Sequence, residues 1–166
     1  MTNHKINDAG LSLIKNFEGL RLKAYRCPAG KWTIGYGHTS GVGQGDTITE
    51  YLAEMFLLGD VTWAEAAMNR LNEEFIDLYG WDPVLKYGAN GFSALVSFTF
   101  NLGTAWSHKS GLRTRLMAAE WREAADQLLR WDKARNPNTG KLVALKGLTR
   151  RRIAERKLFL TKDVIP

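Results

Sequence analysis

Apolar residues near the start of the chain recur at helical spacing. Leu11 and Ile14 stand at i and i+3, and Glu18 takes the i+7 position of the same stripe. Asn7 is a good N-cap, Ile6 and Leu11 have hydrophobic-staple spacing, and Gly19 supplies a helix stop. From Leu22 the period changes to two. "LKAYRC" and "KWTIGYG" flank Pro28-Ala29-Gly30, the pattern of a β-hairpin with a short loop. A three-residue loop sets Cys27 opposite Lys31 and Tyr25 opposite Thr33, which puts Cys27 and Thr33 on one sheet face as diagonal neighbours. A four-residue loop reverses that parity.

The rest of the pattern is helical. Thr47 and Glu50 have capping-box spacing before a short helix over about 50–58. Asp60 can cap a longer helix with the stripe Ala64, Met68, Leu71, Phe75 and Leu78. "NGFSALVSFTFNLG" is apolar nearly all round, so it predicts a central buried helix. Helices follow near 111–118, 120–131 and 147–160, with "NPNTG" as a turn before the last. A β-rich section of about 19–59 and a helical body of about 60–166 plus the N-terminal helix predict a mostly helical α+β single domain spanning residues 1–166. A cleft between the two parts is the expected place for Glu18 and the hairpin to meet.

Composition narrows the partners. The 166 residues are 45% hydrophobic and 24% charged, ordinary for a globular chain, and the formal net charge is +6. An anionic partner fits: nucleic acid, an anionic membrane surface or a bacterial cell wall. No zinc-finger spacing, helix-turn-helix signature or RNA-binding aromatic motif is present, so nucleic acid is not expected. Cys27 is the only cysteine, which excludes an intramolecular disulfide and suits a reducing compartment. The opening "MTNHKINDAGLSLIKNFEG" is too polar for a signal peptide or membrane anchor, so synthesis in the cytoplasm without stable membrane insertion is expected. His4, His38 and His108 have no metal-ligand spacing, and neither a metal nor another cofactor is expected. Most of the six tryptophans read as packing anchors, Trp121 and Trp131 among them, on one amphipathic helix.

A buried carboxyl holds a proton near neutral pH, as a general acid requires, and a hydroxyl beside a thiol can hold a water. Acid on one side and positioned water on the other is the arrangement of inverting glycoside hydrolysis. Cys27 could instead serve as a nucleophile with His38 or His108 as base, giving a peptidoglycan amidase or peptidase. A strand end before Pro28, however, lacks the helix dipole that lowers a thiol's pKa. A non-catalytic basic wall-binding module is the third reading.

The chain resembles the phage-type lysozymes, the tailed-phage endolysins that act as muramidases. That family's signature is a Glu, eight residues, an Asp or Cys, five residues and a Thr, and Glu18, Cys27 and Thr33 have this spacing. The likeness runs on through "WTIGYGHT", "ALVSFTFNLG", "EWREAADQLLRW" and "GLTRRRIAERKLF", nearly the whole chain in the family's order. The resemblance implies a lysozyme-like fold. It also implies hydrolysis of the glycosidic bond between N-acetylmuramic acid and N-acetylglucosamine in peptidoglycan glycan strands, by a monomer that needs a holin to reach the wall at host lysis. It assigns Glu18 as the catalytic acid, Thr33 as a support for the attacking water, and Cys27 to the position most often Asp that assists that water. His38 falls where the family's histidine is structural or lines the cleft edge. Asn101 matches a polar wall residue near substrate, and Arg151 a basic residue that pairs with the catalytic glutamate. The chain departs from many members at Ser110-Gly111-Leu112, where they read Ser-Thr-Leu.

Overall fold

The computed structural model describes residues 2–163. They form two compact units: residues Ile14–Trp63, and the described residues up to Leu13 together with those from Ala64 on.

Helix α1 (Asp8–Glu18) starts where its sequence says it should, with Asn7 Oδ1 accepting the Gly10 N–H at 3.0 Å. Gly10, Leu13 and Ile14 are its buried positions, and Ile6 is buried just before it. A Cβ at Gly10 would lie 2.6 Å from Ser93 Cβ, so only glycine allows this approach of backbones. The burial expected of Glu18 is absent. The apolar face ends at Ile14, and both Phe17 and Glu18 in the last turn are exposed.

In the Ile14–Trp63 unit, β1 (Arg21–Arg26) and β2 (Trp32–Gly35) pair antiparallel, with Tyr25 opposite Thr33 and Arg26 opposite Trp32. The Cys27 N–H donates to the Lys31 carbonyl at 2.9 Å and the Gly30 N–H to the Cys27 carbonyl at 2.8 Å, which closes the expected three-residue loop. Ile34 and Tyr36 are buried together with Ala53 and Leu57 of α2 (Glu50–Asp60). The cap of α2 is Thr49, not Thr47, and its Oγ1 accepts the Leu52 N–H at 3.2 Å.

The larger unit is helical. Helix α3 (Thr62–Tyr79) buries Ala64, Met68, Leu71 and Phe75, whereas Leu78 in its last turn is exposed. Helix α4 (Val84–Leu102) is kinked at Gly88 (φ 79°, ψ 170°) and is buried throughout Gly91–Thr99. This is the predicted central helix. Helices α5 (Gly111–Met117), α6 (Trp121–Leu128) and α7 (Lys146–Leu160) follow, and α7 packs along α4. Helix α6 stops three residues before Trp131, so Trp121 and Trp131 do not share a helix. Both pack edge-on against other rings, Trp121 against Tyr87 and Trp131 against Phe98. The stretch expected to be only a turn is a hairpin, β3 (Lys133–Arg135) with β4 (Leu142–Ala144), whose loop is "NPNTG". Asn136 Oδ1 shapes that loop by accepting the N–H groups of Asn138 and Thr139.

Candidate active site

The Ile14–Trp63 unit gathers four of the six expected residues. Glu18 ends α1, and a Cβ placed on Gly37 would lie 3.8 Å from its Oε2, so the carboxylate sits beside the backbone of the turn that follows β2. Gly37 has φ 95°, a conformation that other residues rarely adopt. The turn is fixed by two backbone bonds, Ile34 N–H to His38 O and His38 N–H to Ile34 O, each 2.9 Å.

Cys27 and Thr33 are brought together by the hairpin register. Thr33 is buried and Cys27 half-buried. The thiol's pKa is lowered, chiefly by the Lys31 backbone, next by the Thr33 hydroxyl, and further by the backbone of Ala29 and of Cys27 itself; partial desolvation opposes them. Polar groups of the loop thus favour the thiolate, the direction a helix N-terminus gives elsewhere. Thr33 has one hydroxyl proton to give. Its Oγ1 stands 3.1 Å from the Lys31 carbonyl, to which it donates, and rotation of the hydroxyl about the Cβ–Oγ1 bond redirects the proton towards sulfur.

His38 is fully engaged. Its Nδ1 lies 2.8 Å from Asp60 Oδ2, its Nε2 lies 3.0 Å from the Ser40 carbonyl, and its ring stacks on Phe56 with centroids 4.2 Å apart. These contacts hold the ring against α2, and because both nitrogens face acceptor oxygens, a neutral ring with its single N–H donates to one of them at a time. Asp60, expected as a helix cap, is instead the anchor of this histidine.

Asn101 and Arg151 belong to the helical unit, where both join a buried cluster around Glu155. Arg151 Nε donates to Glu155 Oε1 at 3.1 Å, and so do Arg152 Nη2 at 3.2 Å and Ser97 Oγ at 2.8 Å. Arg152 Nη2 also donates to Asn101 Oδ1 at 2.8 Å, and its guanidinium lies 4.8 Å from the centre of the Phe98 ring. Arg152 Nε comes within 2.8 Å of Glu155 Oε2, yet its N–H is not aimed at that oxygen and the two make no hydrogen bond. Arg152 and Glu155 were not singled out from the sequence. The i, i+3 and i, i+4 spacing of Glu155 from the two arginines was the available signal.

Comparison with known proteins gives this arrangement a context. The endolysin of Acyrthosiphon pisum secondary endosymbiont phage 1 is 39% identical over 154 residues, covering 93% of this chain and 97% of that one. The endolysin of Bacillus phage B103 is 42% identical over 95% of this chain, which spans only 55% of that longer protein. Among solved structures, the muramidase domain of SpmX from Asticaccaulis excentricus superposes with a TM-score of 0.82 at 37% identity, covering 96% of this chain and 99% of that one. With residues 15–155 matching the phage lysozyme family model as well, the chain has the lysozyme fold, belongs to the phage lysozyme family, and is a lysozyme-type glycoside hydrolase.

Proposed function

We propose that the chain hydrolyses the β-1,4 bond between N-acetylmuramic acid and N-acetylglucosamine in peptidoglycan glycan strands, with a water held by Cys27 and Thr33 and with Glu18, exposed in the free protein and covered only by the bound glycan, as general acid. The observation that carries this reading is the pairing of a turn-cradled thiol with a buried hydroxyl in one hairpin. A water between them is oriented by two acceptors, the Cys27 sulfur and the Thr33 oxygen, whose own proton is directed at Lys31 O. Its lone pair is then free to attack the anomeric carbon. As the C–O bond forms, the water's proton passes to the Cys27 thiolate, the glycosidic bond breaks, and Glu18 delivers its proton to the leaving oxygen. This is the inverting arrangement of acid and base.

The roles of the remaining residues belong to the same proposal. His38 holds the turn beside Glu18 through Asp60 and Ser40, and Arg151 and Asn101, held in the Glu155 cluster, are assigned to substrate binding. With both its ring nitrogens facing Asp60 and Ser40, His38 is unsuited to be the base of a cysteine amidase. The proposal extends to host lysis by a monomer that reaches the wall through a holin-opened membrane. Among the described residues no helix is long and apolar enough to cross a membrane by itself.

Glu18→Gln keeps the side chain's shape and removes the proton. Release of new reducing ends from purified peptidoglycan should fall by ~10²–10⁴-fold, the usual contribution of a general acid. Clearance of cell walls at near wild-type speed by a folded Gln variant rules Glu18 out as the acid. Free amino groups in place of reducing ends would make the enzyme an amidase.

A further inference from the structure

The charged residues of the C-terminal third are sorted by burial. From Lys133 to Lys157 the only acid is Glu155, and it is buried with Arg151 and Arg152. Arg156 pairs with Asp126, Lys133 with Asp132, and Arg135 donates to the Gly140 carbonyl. Four cations remain, Lys141, Lys146, Arg150 and Lys157, all exposed and none in an ion pair among the described residues.

Aliphatic side chains lie among them. Strand β4 is exposed along its whole length, Leu142 at 62%, and Leu145 leads directly into Lys146 at the start of α7. On α7 the residues Lys146, Arg150, Ile153 and Lys157 are spaced by four, three and four. They therefore share one face, and each is exposed, Ile153 at 54%. This part of the surface thus mixes unpaired cations with exposed aliphatic groups, and the acid at its junction, Asp132, is already engaged by Lys133 and by the Thr149 hydroxyl.

We propose that the β3–β4 hairpin and this face of α7 form a docking surface for an anionic lipid bilayer. The cations match anionic headgroups, which attract Lys and Arg within a Debye length of about 8 Å at physiological ionic strength. Leu142, Leu145 and Ile153 decide between an anionic lipid and an anionic polymer. A polymer of sugars, phosphates or carboxylates offers aliphatic side chains only a scattering of C–H groups, whereas the headgroup–acyl boundary buries them. The surface lies apart in sequence from Glu18, Cys27 and Thr33, and this docking is independent of hydrolysis. It holds the enzyme at a membrane surface without a spanning helix.

The test is sedimentation of the full chain with vesicles of phosphatidylcholine alone and of phosphatidylcholine mixed with phosphatidylglycerol. The wild type should bind the mixed vesicles and not the neutral ones. Each Lys or Arg near an anionic bilayer is worth about a five-fold change in partitioning, so Lys146→Gln with Arg150→Gln should weaken binding roughly 25-fold. Leu142→Ser with Ile153→Ser should also weaken it, with the charges unchanged. Both double variants should release reducing ends from a short soluble glycan at the wild-type rate. Glu18→Gln should bind vesicles as the wild type does, whatever becomes of its catalysis. Equal vesicle binding by wild type and the charge variant overturns the proposal. So does unchanged binding by the serine variant when polyglutamate binding follows the charges alone, because that describes a polyanion site.

Discussion

Gly88→Ala tests how the central helix is held. Gly88 has φ 79° and ψ 170°, a region open almost only to glycine, where another residue costs about 1–3 kcal/mol. The new Cβ would also lie 2.6 Å from Asp163 Oδ2. That carboxylate accepts the Ala89 N–H at 2.7 Å and, through Oδ1, the Asn90 N–H at 2.9 Å, capping the helix that restarts after the kink. Displacing a cap of this kind costs about 0.5–2 kcal/mol. The two effects sum to roughly 2–5 kcal/mol, or a fall in Tm of about 4–20 °C for a chain of this size. Asp163→Ala alone should cost only the cap, about 1 kcal/mol. In the double variant the carboxylate is already gone, so alanine at 88 should then cost only the backbone part. The two single effects should therefore exceed the double by about 1 kcal/mol, a coupling expected of residues in contact. Urea unfolding followed by both tryptophan fluorescence and circular dichroism measures all four corners of the cycle. Additivity within about 0.3 kcal/mol, or a Gly88→Ala cost below about 1 kcal/mol, refutes the argument.

Cys27→Ala should lose most of the activity, whereas Cys27→Asp should keep much of it, because a carboxylate of similar reach can hold the same water. The turn's backbone and Thr33 lower the thiol's pKa, so the thiolate forms at lower pH than in an ordinary cysteine. The rising limb of the wild-type pH–rate profile should accordingly lie below that of an ordinary thiol base, and Cys27→Asp should move it lower still, towards the carboxylate range. A limb that stays in place in Cys27→Asp, or an alanine variant as active as wild type, removes Cys27 from the role of base. Arg151→Ala should lower both activity and Tm, while Arg150→Ala, at an exposed and unpaired position, should leave reducing-end release within about two-fold because surface changes are commonly near neutral. Equal small effects from the two in a glycan-release assay would remove Arg151 from any part in catalysis.

Much of the site was legible locally. The Asn7 cap and the three-residue loop depend on a few consecutive residues, and loop length alone sets the parity that places Cys27 beside Thr33. The central helix was equally legible, because a segment apolar all round has nowhere to be but inside. The Glu, Cys and Thr spacing carried the family. Periodicity, however, says which side of a helix a residue occupies and not how far the covering structure reaches, so it assigned burial to Glu18 and Leu78, both exposed in final turns. The β3–β4 strands have three residues each and solvent on β4, so they carry no alternation to read. Partners distant in sequence were out of reach for the same reason. Asp60 meets His38 across 22 positions and Ser97 meets Glu155 across 58, and such pairings exist only once helices and strands have packed. The surroundings of the Cys27 thiol came from neither composition nor spacing, since backbone polar groups are present at every residue and only the folded turn brings those of Lys31 and Ala29 close to it.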